Sequence, residues 1–469
     1  MTYSHKISIV LAFILSLLSF SCVTTKYKTP IVNTEKLFRD STVSDTTSMA
    51  SQPFQSLFSD TVLVNLIEEG IRENLDLKIA VQRINEAQAT LKQAKSAFLP
   101  SLGGALQATR SKTSAASLNF PPEFANVINL KTTTYQATLN TSWEADIWGK
   151  LSSAKRSALA SLLQTDAAKR AVQTQLVANI ANTYYNLLAL DQQLLITEQT
   201  LAIRIKEVEA VKNLQEGAIV TGAAVAQSEA NRYAAEVTIP DLNQSIREAE
   251  NALSILLARA SGNVKRSLLE DQRPISDLKI GVPSQLLKNR PDVQQAEFMF
   301  RSAFENTNLA RTYFYPQLTI TGQGGLSTLQ LKNFFDSSVF YNFIGGIAQP
   351  IFAQGQNKAR LKTAQSRQVQ AYYSYQQSLL IAGQEVTNSL YSYQNALEKQ
   401  KARTKQLEAL EKAVEYTKEL LVYSSATNYT DVLTSEQSLL SARLNSVNDH
   451  LQELQSIVNL YKALGGGWR

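Results

Sequence analysis

Thiols and imidazoles are nearly missing from this chain. Its 469 residues hold one cysteine, Cys22, and two histidines, His5 and His450. No phosphate-cradling loop, zinc-ligand spacing or nucleophile motif occurs, so no cofactor, metal or enzymatic activity is expected. His450 falls in a strongly helical stretch, where an exposed position is expected. A single cysteine forbids an intramolecular disulfide, so packing has to hold the framework. The polar chemistry that remains is of two kinds: hydroxyls and amides at every second residue of short stretches, and charges spread along very long helices.

Cys22 has a distinctive setting. Lys6 precedes an apolar run, Ile7 to Phe20, of the length of a secretory signal core and short for a membrane span. A lone cysteine directly after such a core resembles the lipid-attachment site of a bacterial lipoprotein, although Ser19 stands where leucine is usual. The alternative is a free thiol inside a discarded signal. The reading is a signal peptide over 1–21 and a lipidated, Thr- and Ser-rich extended tether over 22–58.

The sharpest two-residue period lies at Tyr135, Ala137, Leu139, Thr141 and Trp143, alternating with Gln136, Thr138, Asn140, Ser142 and Glu144. One face is oily and the other wholly polar, the signature of a half-buried strand. Gln317, Thr319, Thr321 and Gln323 alternate in the same way with Leu318, Ile320, Gly322 and Gly324. Gly103 to Arg110 alternates weakly, and Phe340 to Gln349 is mixed and interrupted by Gly345 and Gly346. Ser111 to Lys131, with Pro121-Pro122, reads as a loop. These four segments are expected as strands.

What must position them is helical. Lys150 to Glu216 contains neither Gly nor Pro, and an unbroken helix over it would be roughly 100 Å long. Ile180, Leu187, Leu194, Leu201 and Val208 fall seven apart within it, the spacing of helices wrapped on helices. A reversal follows at Gly217 to Gly222, with the glycines expected to permit the turn, and the returning helix should kink at Pro240. Leu379, Val386, Tyr393, Gln400, Leu407, Val414 and Leu421 repeat the pattern, and Leu433, Leu440, Val447, Leu454 and Tyr461 return it. An earlier helix should run from near Asp60 to Leu99, stopped by Pro100.

The plan occurs twice. Asn74-Leu75-Asp76-Leu77 corresponds to Arg290-Pro291-Asp292-Val293, and Phe98-Leu99-Pro100 to Phe314-Tyr315-Pro316, both 216 residues later. Such spacing indicates an internal duplication. The expected organisation is a first repeat over 59–264, a linker over 265–283, a second repeat over 284–465 and a tail over 466–469. Asp292, and Asp76 with it, fits the first turn of a helix, where a carboxylate meets the positive end of the dipole.

The net charge of +6 and pI near 9.1 could suit nucleic acid. However, the basic residues alternate with acidic ones, as over Arg204 to Glu209, and a solvated coiled-coil face accounts for them without such a partner.

Beyond Cys22 no run reaches the roughly 20 apolar residues of a membrane helix. A bilayer would have to be crossed by strands. Four strands cannot encircle a lumen, since the smallest membrane barrels have about eight and an open edge in lipid leaves amides unpaired. Several chains would then share one barrel, with the polar residues Gln136, Thr138, Asn140, Ser142, Gln317, Thr319 and Thr321 lining water. Trp143, Trp148, Tyr313, Phe314, Tyr315 and Phe352 fall at strand-to-helix junctions, and Phe120, Phe124, Phe334 and Phe335 at the other strand ends, as the two bilayer interfaces favour.

At this point the residues resemble a family. Trp143 to Lys150, Gly281-Val282-Pro283 with Leu286 to Val293, Pro350-Ile351-Phe352, Asn428-Tyr429 with Val432-Leu433, and the closing Asn459 to Trp468 look like the lipoprotein outer-membrane efflux factors of the TolC family, in the nodulation-transporter, OprM-like branch. The resemblance implies a mixed α and β membrane protein: a homotrimer with a twelve-stranded β-barrel in outer-membrane lipid, continuous with an α-barrel of antiparallel coiled-coil helices in the periplasm. It also implies passive conduction of drugs or other toxic compounds, a periplasmic adaptor, and an inner-membrane pump of the resistance-nodulation-division type. In the family an apolar residue, an acid and a base constrict the second helical tip. Alignment puts these at Thr430, Thr434 and Gln437, none charged here, so neutral packing with Asp431 near the entrance is the expectation. A type I secretion conduit or a periplasmic coiled-coil scaffold remain as alternatives.

Overall fold

The structure is a computed structural model describing residues 24–32, 34, 37–39, 47–117, 129–274, 278–423 and 429–469. The signal region, Cys22, Phe120, Phe124, Pro121-Pro122 and Asn428 lie outside the described residues. The described residues form two compact units: those up to 30 with 85–164 and 297–373, and 31–84 with 165–296 and 374–469.

Along the chain the main elements are α1 (Thr61–Glu73), α2 (Leu75–Ser96), β1 (Ser101–Lys112), β2 (Lys131–Ala145), α3 (Lys150–Glu216), α4 (Gly222–Leu256), α5 (Pro291–Thr312), β3 (Gln317–Thr328), β4 (Val339–Ala348), α6 (Gln356–Tyr423) and α7 (Tyr429–Ala463). The run lacking breakers is a single helix of 67 residues, and Gln356–Tyr423, which continues through Gly383, is one of 68. The single helix expected from Asp60 is two, because Asn74 leaves helical geometry at ψ 131. Its side chain accepts from Leu77 N at 3.0 Å, starting α2, and donates to Leu256 O at 2.9 Å. α4 runs through Pro240 without interruption.

The first unit is built on the sheet. Its order is β1-β2-β3-β4, every pair antiparallel. β4 pairs straight through both glycines, Gly345 with Ile320 and Gly346 with Thr319. Glycine in a strand has a packing reason at Gly322: an added Cβ would lie 2.8 Å from Phe343, whose ring covers the space. Within the stretch expected as a tether the described residues are docked, and it is not extended throughout: Met49–Ser51 and Phe54–Leu57 are short helices, and Met49, Phe54 and Leu57 are buried. Asn308 brackets Thr25, accepting from its N at 3.2 Å and donating to its O at 2.8 Å, and Tyr27 packs against Phe300 and Phe304.

The second unit holds the principal core. Ile180, Leu187, Val208, Leu379, Val386, Tyr393, Leu433, Val447, Leu454 and Tyr461, all on the seven-residue lines, are buried. Asp60 caps α1 through Val62 N at 2.8 Å and accepts from Tyr184 Oη at 2.6 Å and Gln272 Nε2 at 3.0 Å. These bonds hold its carboxyl below the usual range although burial opposes them. Asp292 does open α5, but its carboxylate is also gripped by Arg290, at 2.9 and 2.5 Å. Arg290 is buried and reaches Glu385 and the Ala463 carbonyl as well. The last residues are seated: Trp468 Nε1 donates to Asn289 O at 3.0 Å, with Arg170 over its ring.

Candidate conduit surfaces and closure site

The sheet has two chemically distinct faces over β1 to β3, while on β4 Phe340 and Ile344 stand on the polar side, opposite Gly325 and Thr321. In the observed register Ser142 stands between Ser101 and Thr321, and Asn140 between Gly103 and Gln323. Since side chains alternate, Gln136, Thr138, Asn140, Ser142, Gln317, Thr319 and Thr321 share one face, as their spacing predicts. The opposite face carries Leu102, Leu106, Leu139, Ile320, Tyr341, Phe343 and Ile347, all exposed in the single chain. A folded chain does not leave so large an apolar surface to water without a partner or a membrane. β1 and β4 are the sheet's open edges.

The strand-to-helix junctions form one end of this sheet, and their aromatic residues are tied to backbone. Trp143 Nε1 donates to Phe98 O at 2.9 Å and Trp148 Nε1 to Pro316 O at 2.8 Å. The Trp148 and Tyr315 rings lie 5.0 Å apart, and the Arg360 guanidinium sits 3.8 Å from the Tyr313 ring centre. Asp146 starts α3 by accepting from Leu151 N at 2.8 Å and Ser152 N at 2.9 Å. Phe314 and Phe352 are exposed. Each of the two indoles therefore has an apolar body and a satisfied N–H.

In the second unit, the reversal between α3 and α4 departs from expectation. Its left-handed residue is Ala218, at φ 55, and not a glycine. Ile219 N bonding back to Leu214 O at 2.9 Å closes the helix and imposes that conformation.

Thr430, Asp431, Thr434 and Gln437 are all exposed on α7 in the single chain. Thr434 Oγ1 donates to Thr430 O at 2.8 Å, and Ser438 Oγ to Thr434 O at 2.8 Å, so these hydroxyls bond their own helix. Gln437 instead accepts from Arg204 Nη2 of α3 at 3.1 Å.

Beside them is a cluster the sequence reading missed. Lys418 Nζ of α6 lies 3.0 Å from Glu207 of α3 and 2.5 Å from Glu436 of α7. Burial and a hydrogen bond with Glu207 push the Glu436 carboxyl up to about 7. Burial works against ionisation of Glu207 too, but Glu436 and Lys418 hold its carboxyl below the usual range. Arg204, expected on a solvated face, is buried because α7 covers it. Tyr429 Oη, at the start of α7, donates to Ser228 of α4 at 3.2 Å, so all four long helices are joined here.

His450 also departs from expectation: it is half-buried. Burial and the nearby Arg273 hold its imidazole below the usual range.

The family described as outer membrane efflux protein matches residues 66–259 and 282–466. The pyoverdine export outer membrane protein OpmQ of Pseudomonas putida is 29% identical over 97% of this chain and 96% of its own. The cation efflux system protein CusC of Escherichia coli is 28% identical over 94% of each chain. Among solved structures, the open state of the Neisseria gonorrhoeae MtrE outer membrane channel superposes with a TM-score of 0.83, covering 95% of this chain and 98% of that one at 25% identity. The two matched segments, one in each half, agree with the duplication.

Proposed function

Because the chain belongs to the outer membrane efflux protein family, we propose that three copies pool their sheets into one pore, through which small molecules handed over by a periplasmic adaptor and an inner-membrane pump leave the cell. Family membership fixes the coarse part: an efflux channel of the outer membrane, not an enzyme. The observation that carries the finer part is the sheet with two open edges, one polar face and one apolar face. In lipid an open edge strands its amides, so β4 of one copy meets β1 of the next until twelve strands close a ring.

In this reading Gln136, Thr138, Asn140, Ser142, Gln317, Thr319 and Thr321 line water, and Trp143, Trp148, Tyr313, Phe314, Tyr315 and Phe352 sit at the periplasmic interface. Among the described strand residues the acid on the lumen face is Glu144, which is ion-paired with Lys150, and this favours a pore of low selectivity. Relatives nearly equal in identity carry names for pyoverdine export and for cation efflux, so choice of cargo belongs to a pump of the resistance-nodulation-division type.

Residues 1–21 direct secretion and Cys22 carries the lipid. The docking of Thr24 against Gly149, next to Trp148, supports an anchor at that interface. The boundaries 22–58, 59–264, 265–283, 284–465 and 466–469 divide the mature chain into tether, repeat, linker, repeat and tail. Closure lies where Thr430, Thr434 and Gln437 of three copies converge, with Asp431 near the entrance. Planar-bilayer recording tests the pore: purified protein gives discrete conductance steps, and the absence of steps from detergent-stable assemblies contradicts the reading.

A further inference from the structure

The apolar face of the sheet has one discordant corner. Along β1 it runs Leu102, Gly104, Leu106 and Ala108, and then Arg110 and Lys112. On β2 the same face begins with Lys131 and Thr133 before turning apolar at Tyr135. Lys112 and Lys131 are direct cross-strand partners, and Arg110 faces Thr133. All three basic residues are exposed. None of their side chains has an ion pair or hydrogen bond among the described residues.

Like charges directly opposite across two strands repel each other, and a cation on a lipid-facing surface is costly except near the bilayer's edge. Both penalties vanish if an anion sits between the three. Their place decides which anion. They occupy the hairpin end of the strands, away from the helix junctions. If the helices are periplasmic, as proposed above and as this inference requires, that end is at the outer leaflet. The outer leaflet of bacterial outer membranes is a glycolipid with phosphates on its sugar headgroup.

We infer that Arg110, Lys112 and Lys131 bind a phosphate of that glycolipid headgroup, one site per chain. Directly opposed Cβ atoms stand about 5 Å apart, and next neighbours on one face about 7 Å, so three long side chains reach one phosphate. Their aliphatic stems lie along the apolar face while the charged ends rise to the interface. The guanidinium offers two parallel donors and the amines add charge. Below them Leu102, Leu106 and Leu139, 75%, 85% and 60% exposed, present a surface for the acyl chains.

The test uses the full chain, delipidated in mild detergent, titrated with bisphosphorylated lipid A and weighed by native mass spectrometry. Wild type is expected to retain lipid A. The triple variant Arg110→Gln, Lys112→Gln, Lys131→Gln is expected to bind it about tenfold or more weakly, as is wild type given dephosphorylated lipid A. Salt at about 0.5 M should weaken wild-type binding. Lys112→Gln alone, which removes the cross-strand repulsion, should keep the assembly and lose affinity severalfold, while Lys332→Gln in the other hairpin should change nothing. Unchanged retention by the triple variant overturns the site. So does equal binding of dephosphorylated lipid A or of phosphatidylglycerol, or displacement by millimolar inorganic phosphate. A wild-type protein seen only as a monomer overturns the barrel reading itself, whereas an intact trimer with unaltered lipid binding overturns this inference alone.

Discussion

Glu207 and Glu436, on helices α3 and α7, share a hydrogen bond with the Lys418 ammonium against both, 3.0 Å from the first and 2.5 Å from the second. Two carboxylates so close hold one proton between them more readily than none. Glu436, raised from 4.5 to about 7, contributes stability that is fully present below 4.5 and lost as pH rises through about 7. Glu207 is shifted the other way and contributes above its ordinary value, losing it in acid. Between the two limits the contact is strongest. Hydrogen exchange over 204–212 and 429–440, corrected for intrinsic rates, should therefore be slower at pH 6 than at pH 8. Glu436→Gln should remove that difference, and a pH-independent wild type would contradict it.

Thr434 is exposed and its hydroxyl is spent on the Thr430 carbonyl. In an assembly closed there, Thr434→Arg sets like charges facing one another in the opening. Single-channel recording should find lowered cation conductance. Conductance equal to wild type places the constriction elsewhere.

Arg290 is buried at 5% exposure and satisfies Asp292, Glu385 and the Ala463 carbonyl at once. Arg290→Ala leaves those acceptors without their cation; because water reaches the Asp292 and Glu385 carboxylates, the loss is on the order of 1–3 kcal/mol. Arg290→Lys keeps the charge but not the two-pronged contact with Asp292 and should recover only part. Denaturation midpoints of the detergent-extracted variants, in the order wild type, Lys, Ala, check this.

Ala218 holds the left-handed conformation that a side chain disfavours by roughly 1–2 kcal/mol. Ala218→Gly should protect the α3–α4 reversal from proteolysis, despite glycine's greater freedom when unfolded. Faster cleavage at that turn would refute this.

The sequence made the strands and helices legible where the signal is local. The alternation of Gln136 to Ser142 with Tyr135 to Trp143 assigns two faces without any knowledge of the neighbours, and the register keeps those faces. The seven-residue lines likewise mark much of the buried stripe of α3, α6 and α7, their other members being partly buried. What escaped depends on distant partners. Glu207 and Lys418 are 211 residues apart, and one helix's period does not encode its axial register against another. For the same reason Arg204 looked solvated until α7 covered it. The break at Asn74 escaped because asparagine fits a helix and a cap equally in sequence, and only the Leu77 and Leu256 contacts choose.

The claim on which the rest depends is that four strands with one apolar face require like copies to complete them. The mass of the detergent-extracted protein, measured by light scattering with the detergent contribution removed, tests it directly. A mass about three times that of one chain is the result required by the account. A monomer that stays folded without detergent would contradict it.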